Sequence, residues 1–128
     1  MQTLNFSAKL NHEGHSISMI LNMYLFKEEK SYIVYCPSLD ISASGDSEEQ
    51  AKKYFEEVLF ITFKYMLNKN TLKADLMNHG WGLKSLKQKK MKAPSLQTML
   101  RKNDSFREIL ENKEYVAYKQ NIDIPQFS

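Results

Sequence analysis

The sequence predicts an α+β fold: an antiparallel sheet of about four or five strands with one long helix packed on one face, followed by a short C-terminal helical extension and a closing strand. Two observations predict it. Most of residues 3–44 fall into segments in which apolar and polar side chains alternate, which is the pattern of half-buried strands. Residues 47–67 instead repeat apolar side chains every three or four positions, as an amphipathic helix does.

The first half of the chain contains most of the predicted sheet. Strands are expected at residues 3–10, 17–25 and 31–36, with a further short strand at 41–44. β-branched and aromatic side chains, which suit a pleated and half-buried surface, are frequent in the third of these. The charged segment 27–30 predicts a hairpin turn between two strands.

The junction between the sheet and the long helix is the most informative segment. Pro37 has no amide hydrogen to donate, so the preceding strand should end there. Gly45 supplies a turn that other residues would strain to make. Asp46 or Ser47 offers a side-chain oxygen to the first amides of the helix, and Glu49 follows Asp46 at the spacing of a capping box.

The helix after this junction is expected from about Ser47 to Leu67, with one apolar stripe buried on the sheet. Most of its charged side chains fall away from that stripe. The predicted stripe consists of Ala51, Tyr54 with Phe55, Val58 with Leu59, Thr62, and Tyr65 with Met66.

Smaller elements are expected after the long helix. A short helix at 72–78 should end at Gly80, where a left-handed cap favours glycine. Trp81 and Leu83 predict a brief strand. Residues 84–92 are rich in lysine and weakly patterned, so we interpret them as an exposed link.

The C-terminal region predicts two short helices and one strand. The first helix is expected over 95–102, and the second extends to Leu110 with Asp104 or Ser105 as its cap. The closing strand is expected over 115–125. The predicted organisation is therefore an α/β domain over 1–83, a Lys-rich link over 84–93, and a helical extension with its strand over 94–128 that packs on the same domain.

Composition bounds the class of protein. A single cysteine excludes an internal disulfide and is compatible with a reducing cytoplasm. No apolar run follows a basic patch at the N-terminus, and no apolar stretch approaches the ~20 residues that a membrane span requires. These features predict a soluble, cytoplasmic protein.

The formal net charge of +3 conceals an uneven distribution. Residues 1–63 carry five basic and nine acidic side chains, whereas residues 64–102 carry ten basic and one acidic. Residues 103–128 carry three basic and five acidic side chains. The acidic first half favours a basic partner, and the basic middle segment could face phosphate, an acidic protein or only water.

The junction and a later segment together resemble the HicB family, the antitoxins of HicA–HicB toxin–antitoxin pairs. The matching residues, within about residues 18–83, are Pro37, Leu39, Gly45-Asp46-Ser47, Glu48-Glu49, Ala51, residues 71–76 and His79-Gly80-Trp81. Many members carry Gly-Cys where this chain has Asp40-Ile41, a departure that concerns partner contacts more than the fold. The resemblance implies a HicB-like, partial ribonuclease-H-like domain that binds and neutralises a small RNA-cleaving toxin without being an enzyme itself.

The partner implied by the resemblance is a small, basic toxin of the HicA type. Acidic side chains on the antitoxin would steer such a partner to its surface. The predicted partner-binding residues are Glu48, Glu49, Glu56 and Glu57. The exposed edges of the sheet also invite strand pairing between chains, so a homodimer is expected, in which the C-terminal strand could be exchanged.

The main alternative is a stand-alone HicB-fold binding module that contacts nucleic acid through the Lys-rich stretch. Lysine side chains neutralise phosphates and add affinity that does not depend on base sequence. The stretch lacks the interleaved aromatic side chains of single-strand binders, and the C-terminal tail does not resemble a helix-turn-helix convincingly. The predicted contacts are Lys84, Lys87, Lys89, Lys90 and Lys92.

An enzyme finds little support in the residues. A metal-dependent nuclease needs several carboxylates around its ions, and the conceivable set here is Asp40, Asp46, Glu56 and Asp75. Helix capping and solvation explain these better. His12 and His15 flank a turn glycine, and His79 precedes the capping Gly80, where its partial positive charge suits a helix end. Cys36 has no basic neighbour in sequence, which predicts a core thiol. We therefore expect no catalytic residue, metal or cofactor.

Overall fold

The computed structural model describes residues 3–5, 16–69, 71–85 and 90–125 of the 128-residue chain. The strands are β1 (Thr3–Asn5), β2 (Ser16–Glu28), β3 (Ser31–Cys36), β4 (Ile41–Gly45), β5 (Gly82–Ser85), β6 (Lys90–Lys92) and β7 (Tyr115–Pro125). The helices are α1 (Glu48–Asn68), α2 (Leu72–Asn78), α3 (Leu96–Lys102) and α4 (Asp104–Asn112).

The main sheet has the strand order β1-β7-β2-β3-β4. The last four of these strands are antiparallel neighbours, and β1 runs parallel to β7. The register of β7 on β2 extends from Pro125 opposite Ser16 to Tyr115 opposite Phe26, so the closing strand lies inside the sheet of its own chain. With the helices packed on this sheet, the predicted α+β fold is confirmed.

The helices lie on both faces of the sheet. Successive side chains of a strand point to opposite faces, and β2 divides accordingly. Met19, Leu21 and Met23 are buried in a cluster with residues of α1, together with Leu76 of α2. Phe26 is buried in a second cluster with residues of α3 and α4. The structure therefore has three layers, with α1 and α2 on one face and α3 and α4 on the other.

The buried stripe of α1 differs from the predicted one. Its buried residues are Ala51, Phe55, Leu59 and Phe63. Tyr54, Val58 and Tyr65 are exposed, so the prediction that placed them in the stripe is wrong. The four buried residues are spaced four apart and form a narrow stripe against the sheet. Tyr54 and Val58 each come one position before a buried residue, which places them beside this stripe, where the sheet does not cover them.

The start of α1 is capped by Ser47. Its hydroxyl accepts a hydrogen bond from the amide of Gln50 at 3.1 Å, and the Gln50 side chain accepts one from the amide of Asp46 at 2.6 Å. This reciprocal pair satisfies two amides at the helix start. The predicted capping box of Asp46 and Glu49 is therefore wrong, because Gln50 provides the acceptor one position later.

Gly45 is required because the backbone of α1 lies very close to it, and not because it forms an unusual turn. Its φ is not in the positive range, unlike that of Gly80, which is 88°. A Cβ atom on Gly45 would lie 2.6 Å from the backbone nitrogen of Ala51 and 2.9 Å from the carbonyl carbon of Gln50. The end of β4 thus runs directly against the first turn of α1.

The segment after α2 fixes the turn that follows β3. The positive φ of Gly80 confirms the predicted left-handed end of this helix. Trp81 is 3% exposed, and its indole Nε1 donates a hydrogen bond to the buried carbonyl oxygen of Ser38 at 2.8 Å. The turn at 37–40 and the end of α2 are therefore held together.

Two polar side chains place α3 and α4. The hydroxyl of Ser95 caps α3 by accepting a hydrogen bond from the amide of Thr98 at 3.2 Å. Asn103 lies between the two helices in an extended conformation, and its Oδ1 accepts the amide of Phe106 at 3.0 Å. The cap of α4 is thus Asn103, and the prediction of Asp104 or Ser105 is wrong because both already lie inside the first helical turn.

Part of the predicted link forms strands instead. Residues 84–85 belong to β5 and 90–92 to β6, because their backbones pair with each other and Lys90 also pairs with Ser18 of β2. Residues 86–89, and residues 6–10 of the first predicted strand, lie outside the described residues. Within the described ranges, every helix is too short or too polar to cross a membrane.

Candidate protein-binding site

A cleft opens where the turn after β3, the end of α2 and the junction of α3 with α4 meet. Its volume is about 320 Å³, which is enough to admit a side chain of a partner or a small ligand. Its lining includes the charged, amide and imidazole side chains of Asp40, Asn78, His79, Lys102, Asn103 and Asp104, together with the hydroxyl groups of Thr98 and Ser105. The cleft is therefore polar, with two carboxylates and one lysine at its wall.

A chain of hydrogen bonds fixes one wall of the cleft. The hydroxyl of Tyr35 donates to Oδ1 of Asp40 at 2.8 Å and accepts from Nδ2 of Asn103 at 2.6 Å. Burial is the main cause that raises the pKa of Tyr35 well above its usual range, so the hydroxyl stays protonated near neutral pH. These two hydrogen bonds connect β3, the turn after it and the start of α4, and they hold the Asp40 carboxylate at the rim of the cleft.

Two residues at the rim of the cleft, Asp40 and His79, lie in a turn and at a helix end. Asp40 has a φ of 54°, a left-handed conformation that aspartate tolerates better than most residues. His79 forms the C-cap of α2, with its Nδ1 2.9 Å from the carbonyl oxygen of Asp75. A carbonyl can only accept, so Nδ1 carries the proton in this contact. The predicted helix-terminal position of His79 is confirmed.

A row of acidic side chains runs along the outer surface of α4. The row, here called the acidic ridge, consists of Asp104, Glu108 and Glu111, all exposed. Their spacing of four and three places them on one side of the helix. Phe106 and Ile109 are buried on the opposite side, so the ridge points away from the sheet.

The acidic ridge is continuous with the cleft. Asp104 lines the cleft together with Asp40, and its carboxylate also pairs with Arg107 one turn along α4. Lys102 adds one opposing charge at the same wall. The ridge and the cleft together still present more carboxylates than cations, which favours a positively charged ligand group.

The acidic residues predicted from the sequence lie on α1, on the other face of the sheet. Glu48 and Glu49 form its exposed first turn, Glu57 is exposed further along, and Glu56 is half-buried. Lys52 and Lys53, exposed as well, lie between them along the helix and offset their charge. These four glutamates remain a prediction, and the structure offers the acidic ridge as a second surface of the same kind.

The lysines predicted to contact nucleic acid are distributed over the β5–β6 pair. Lys84 lies in β5, and Lys90 and Lys92 lie in β6, with Lys92 exposed. Lys87 and Lys89 lie outside the described residues. Contact with nucleic acid through this stretch stays a prediction.

Cys36 is a buried thiol, as predicted. It is 0% exposed, and its Sγ lies 3.3 Å from the hydroxyl oxygen of Ser38. Burial raises the pKa of the Cys36 thiol to about 11, so the nucleophilic thiolate is scarce near neutral pH. The residue contributes to the core beneath α1.

The carboxylates considered for a metal-dependent nuclease occupy separate elements. Asp40 lies in the turn after β3, Asp46 before α1, Glu56 on α1 and Asp75 on α2. In the part of the chain that the structure describes, no group of three or more His, Cys, Asp or Glu side chains is arranged to hold a metal ion.

Sequence reasoning missed most of this site. The acidic ridge has a readable signal, since Asp104, Glu108 and Glu111 follow helical spacing opposite two apolar residues. The contact of Asn103 with Tyr35 has none, because the two residues are 68 positions apart. The cleft is likewise created only when distant segments of the chain meet.

Comparison of this chain with protein-family models, with curated proteins and with solved structures finds no match. The resemblance to the HicB family therefore depends on the motif around Gly45 and Trp81 alone.

Proposed function

We propose that this chain is a HicB-like, antitoxin-type protein that binds and neutralises a small RNA-cleaving toxin and has no catalytic role of its own. The observation that best supports a basic partner is the acidic ridge beside the cleft. The ridge is the partner-binding surface in this proposal, and the four glutamates of α1 are the competing surface.

The ridge suits recognition of a basic protein because of its position and rigidity. Its carboxylates project from a helix that is anchored by the buried Phe106 and Ile109. A partner helix or strand lying along the ridge would bring cations within a few ångströms of Glu108 and Glu111. RNA-binding surfaces are basic, so the same contact would cover the surface on which the toxin holds its substrate.

The cleft supplies a place for one specific contact. Asp40 accepts one hydrogen bond from Tyr35, and a carboxylate can accept about four. An arginine side chain of the toxin that enters the cleft would find the remaining positions of Asp40 already oriented. Preorganised charges of this kind add specificity and association rate more than bulk affinity.

The proposal is tested by capture from the native host with the full chain, followed by an RNA-cleavage assay. We expect a small basic protein whose ribonuclease activity is absent in the complex and returns when the complex is dissociated. With the double reversal Glu108→Lys and Glu111→Lys, about ten-fold more of the chain should be required to inhibit that activity, since each charge contact contributes about 0.2–1 kcal/mol and reversal adds repulsion.

The matched control is the double reversal Glu48→Lys and Glu49→Lys, which changes the same number of exposed charges on α1. This variant should inhibit like the unmodified chain. Capture of no RNA-cleaving partner would contradict the proposed function. Normal inhibition by the ridge variant together with a defect in the α1 variant would instead place the partner on α1.

A further inference from the structure

α1 carries a second apolar stripe that stays exposed among the residues the structure describes. The stripe, here called the outer stripe, consists of Tyr54, Val58, Ile61 and Tyr65, with 40, 37, 64 and 59% of each residue exposed. Their spacing of four, three and four is the spacing of a coiled-coil seam. Single exposed apolar residues are ordinary, but a continuous row along three turns of one helix marks an interaction surface.

We propose that the outer stripe pairs with the same stripe of a second copy of this chain, with the two α1 helices antiparallel about a two-fold axis. The inference goes beyond the proposed function, because the acidic ridge lies on the opposite face of the sheet. The order of the residues along α1 and the charges beside the outer stripe identify a second copy of this chain as the partner.

The order of residues along the stripe is palindromic. A tyrosine lies at each end, and the β-branched residues Val58 and Ile61 lie between them. In an antiparallel pair centred between residues 58 and 61, Tyr54 faces Tyr65 of the second copy and Val58 faces Ile61. Large side chains therefore meet large ones and small meet small in every layer, as an isologous two-fold interface requires.

The charges beside the stripe are also self-complementary. Glu57 and Lys64 each come one position before a seam residue, on the side of α1 away from its buried face, and both are exposed. In the same antiparallel register, Glu57 of each copy lies opposite Lys64 of the other, which gives two pairs of opposite charge. A parallel pair would instead place Glu57 and Lys64 of one copy across the seam from those of the other, so these residues would form no pairs of opposite charge with each other.

One end of the stripe is already ordered in the single chain. Lys69 donates a hydrogen bond from Nζ to the hydroxyl of Tyr65 at 2.7 Å and lies over its ring at 4.7 Å from the centroid. A tyrosine held in place before association loses less side-chain freedom when the second copy binds.

Sedimentation equilibrium of the full chain at micromolar concentration tests the pairing. We expect a dimer, and we expect Ile61→Glu to be monomeric because it places two charges in the seam. The matched control is Leu96→Glu on α3, which changes a residue of similar exposure, 52%, on the other face of the sheet and should stay dimeric. Circular dichroism checks that each variant keeps its fold.

A charge exchange tests the antiparallel register itself. Glu57→Lys and Lys64→Glu should each raise the dissociation constant about ten-fold, since each replaces two exposed pairs of opposite charge with two pairs of like charge. The double variant restores opposite charges and should recover most of the lost affinity. A monomeric unmodified chain, a dimer unaffected by Ile61→Glu, or a double variant weaker than both single variants would overturn the inference. A failure to capture a toxin would leave these outcomes unchanged.

Discussion

Replacing Phe106 with alanine is expected to lower the free energy of unfolding by about 3–5 kcal/mol. Phe106 is 0% exposed, and its ring meets that of Tyr24 edge-on, with 5.0 Å between the centroids. The other buried members of this cluster are Phe26, Tyr35, Met99 and Ile109. Truncation removes the ring from the contact between α4 and the sheet and leaves a cavity there. Urea unfolding followed by circular dichroism measures the loss.

The matched control for this change is Leu110→Ala, which truncates a partly buried neighbour in the same helix. A partly exposed side chain loses less apolar burial, so its cost should be about 1–2 kcal/mol. Phe106→Ala should also weaken partner binding more than Leu110→Ala does, because the position of the acidic ridge depends on the packing of α4 against the sheet. An equal cost for the two variants would mean that Phe106 does not anchor the helix as described.

Replacing Gly45 with alanine is the second large effect, at about 1–3 kcal/mol of destabilisation. A Cβ atom at this position would lie 2.6 Å from the backbone nitrogen of Ala51, so the first turn of α1 or the end of β4 must shift. Gly→Ala at an unstrained position with room for the methyl group stabilises by about 0.4–1 kcal/mol through the unfolded chain. The sign of the change therefore distinguishes a close approach from an ordinary strand end.

The control for Gly45→Ala is Ser44→Ala, one residue earlier in β4, where the side chain is exposed. Its effect should stay within about 0.5 kcal/mol. Thermal or urea unfolding of both variants provides the comparison. A stabilised Gly45→Ala variant would show that α1 does not lie against β4 as closely as described.

The sequence predicts the local elements of this fold well, because their signals are local. Pro37 ends β3, Ser47 starts α1 and Gly80 ends α2, each through its own backbone or side-chain chemistry. The placement of β7 between β1 and β2 is different, since it depends on pairing between residues about 100 positions apart. The alternation of apolar and polar residues predicts that β7 is a strand, but it does not predict the position of β7 in the sheet.

The surfaces proposed for binding show the same limit. α1 has two apolar stripes, and periodicity alone does not say which one the sheet covers. Tyr54 and Phe55 are equally plausible core residues in the sequence, and only the packed structure distinguishes the exposed ring from the buried one. The acidic ridge is readable from spacing, whereas its continuity with Asp40 follows from tertiary contacts.

The most direct test of partner binding at the acidic ridge is amide hydrogen exchange, measured by mass spectrometry, on the chain alone and bound to its captured RNA-cleaving partner. We expect partner binding to slow exchange in α4 and in the turn at 37–40, the two segments that frame the acidic ridge and the cleft. Exchange in the first turns of α1 should not change. Slowed exchange confined to α1, with α4 unaffected, would contradict binding at the acidic ridge.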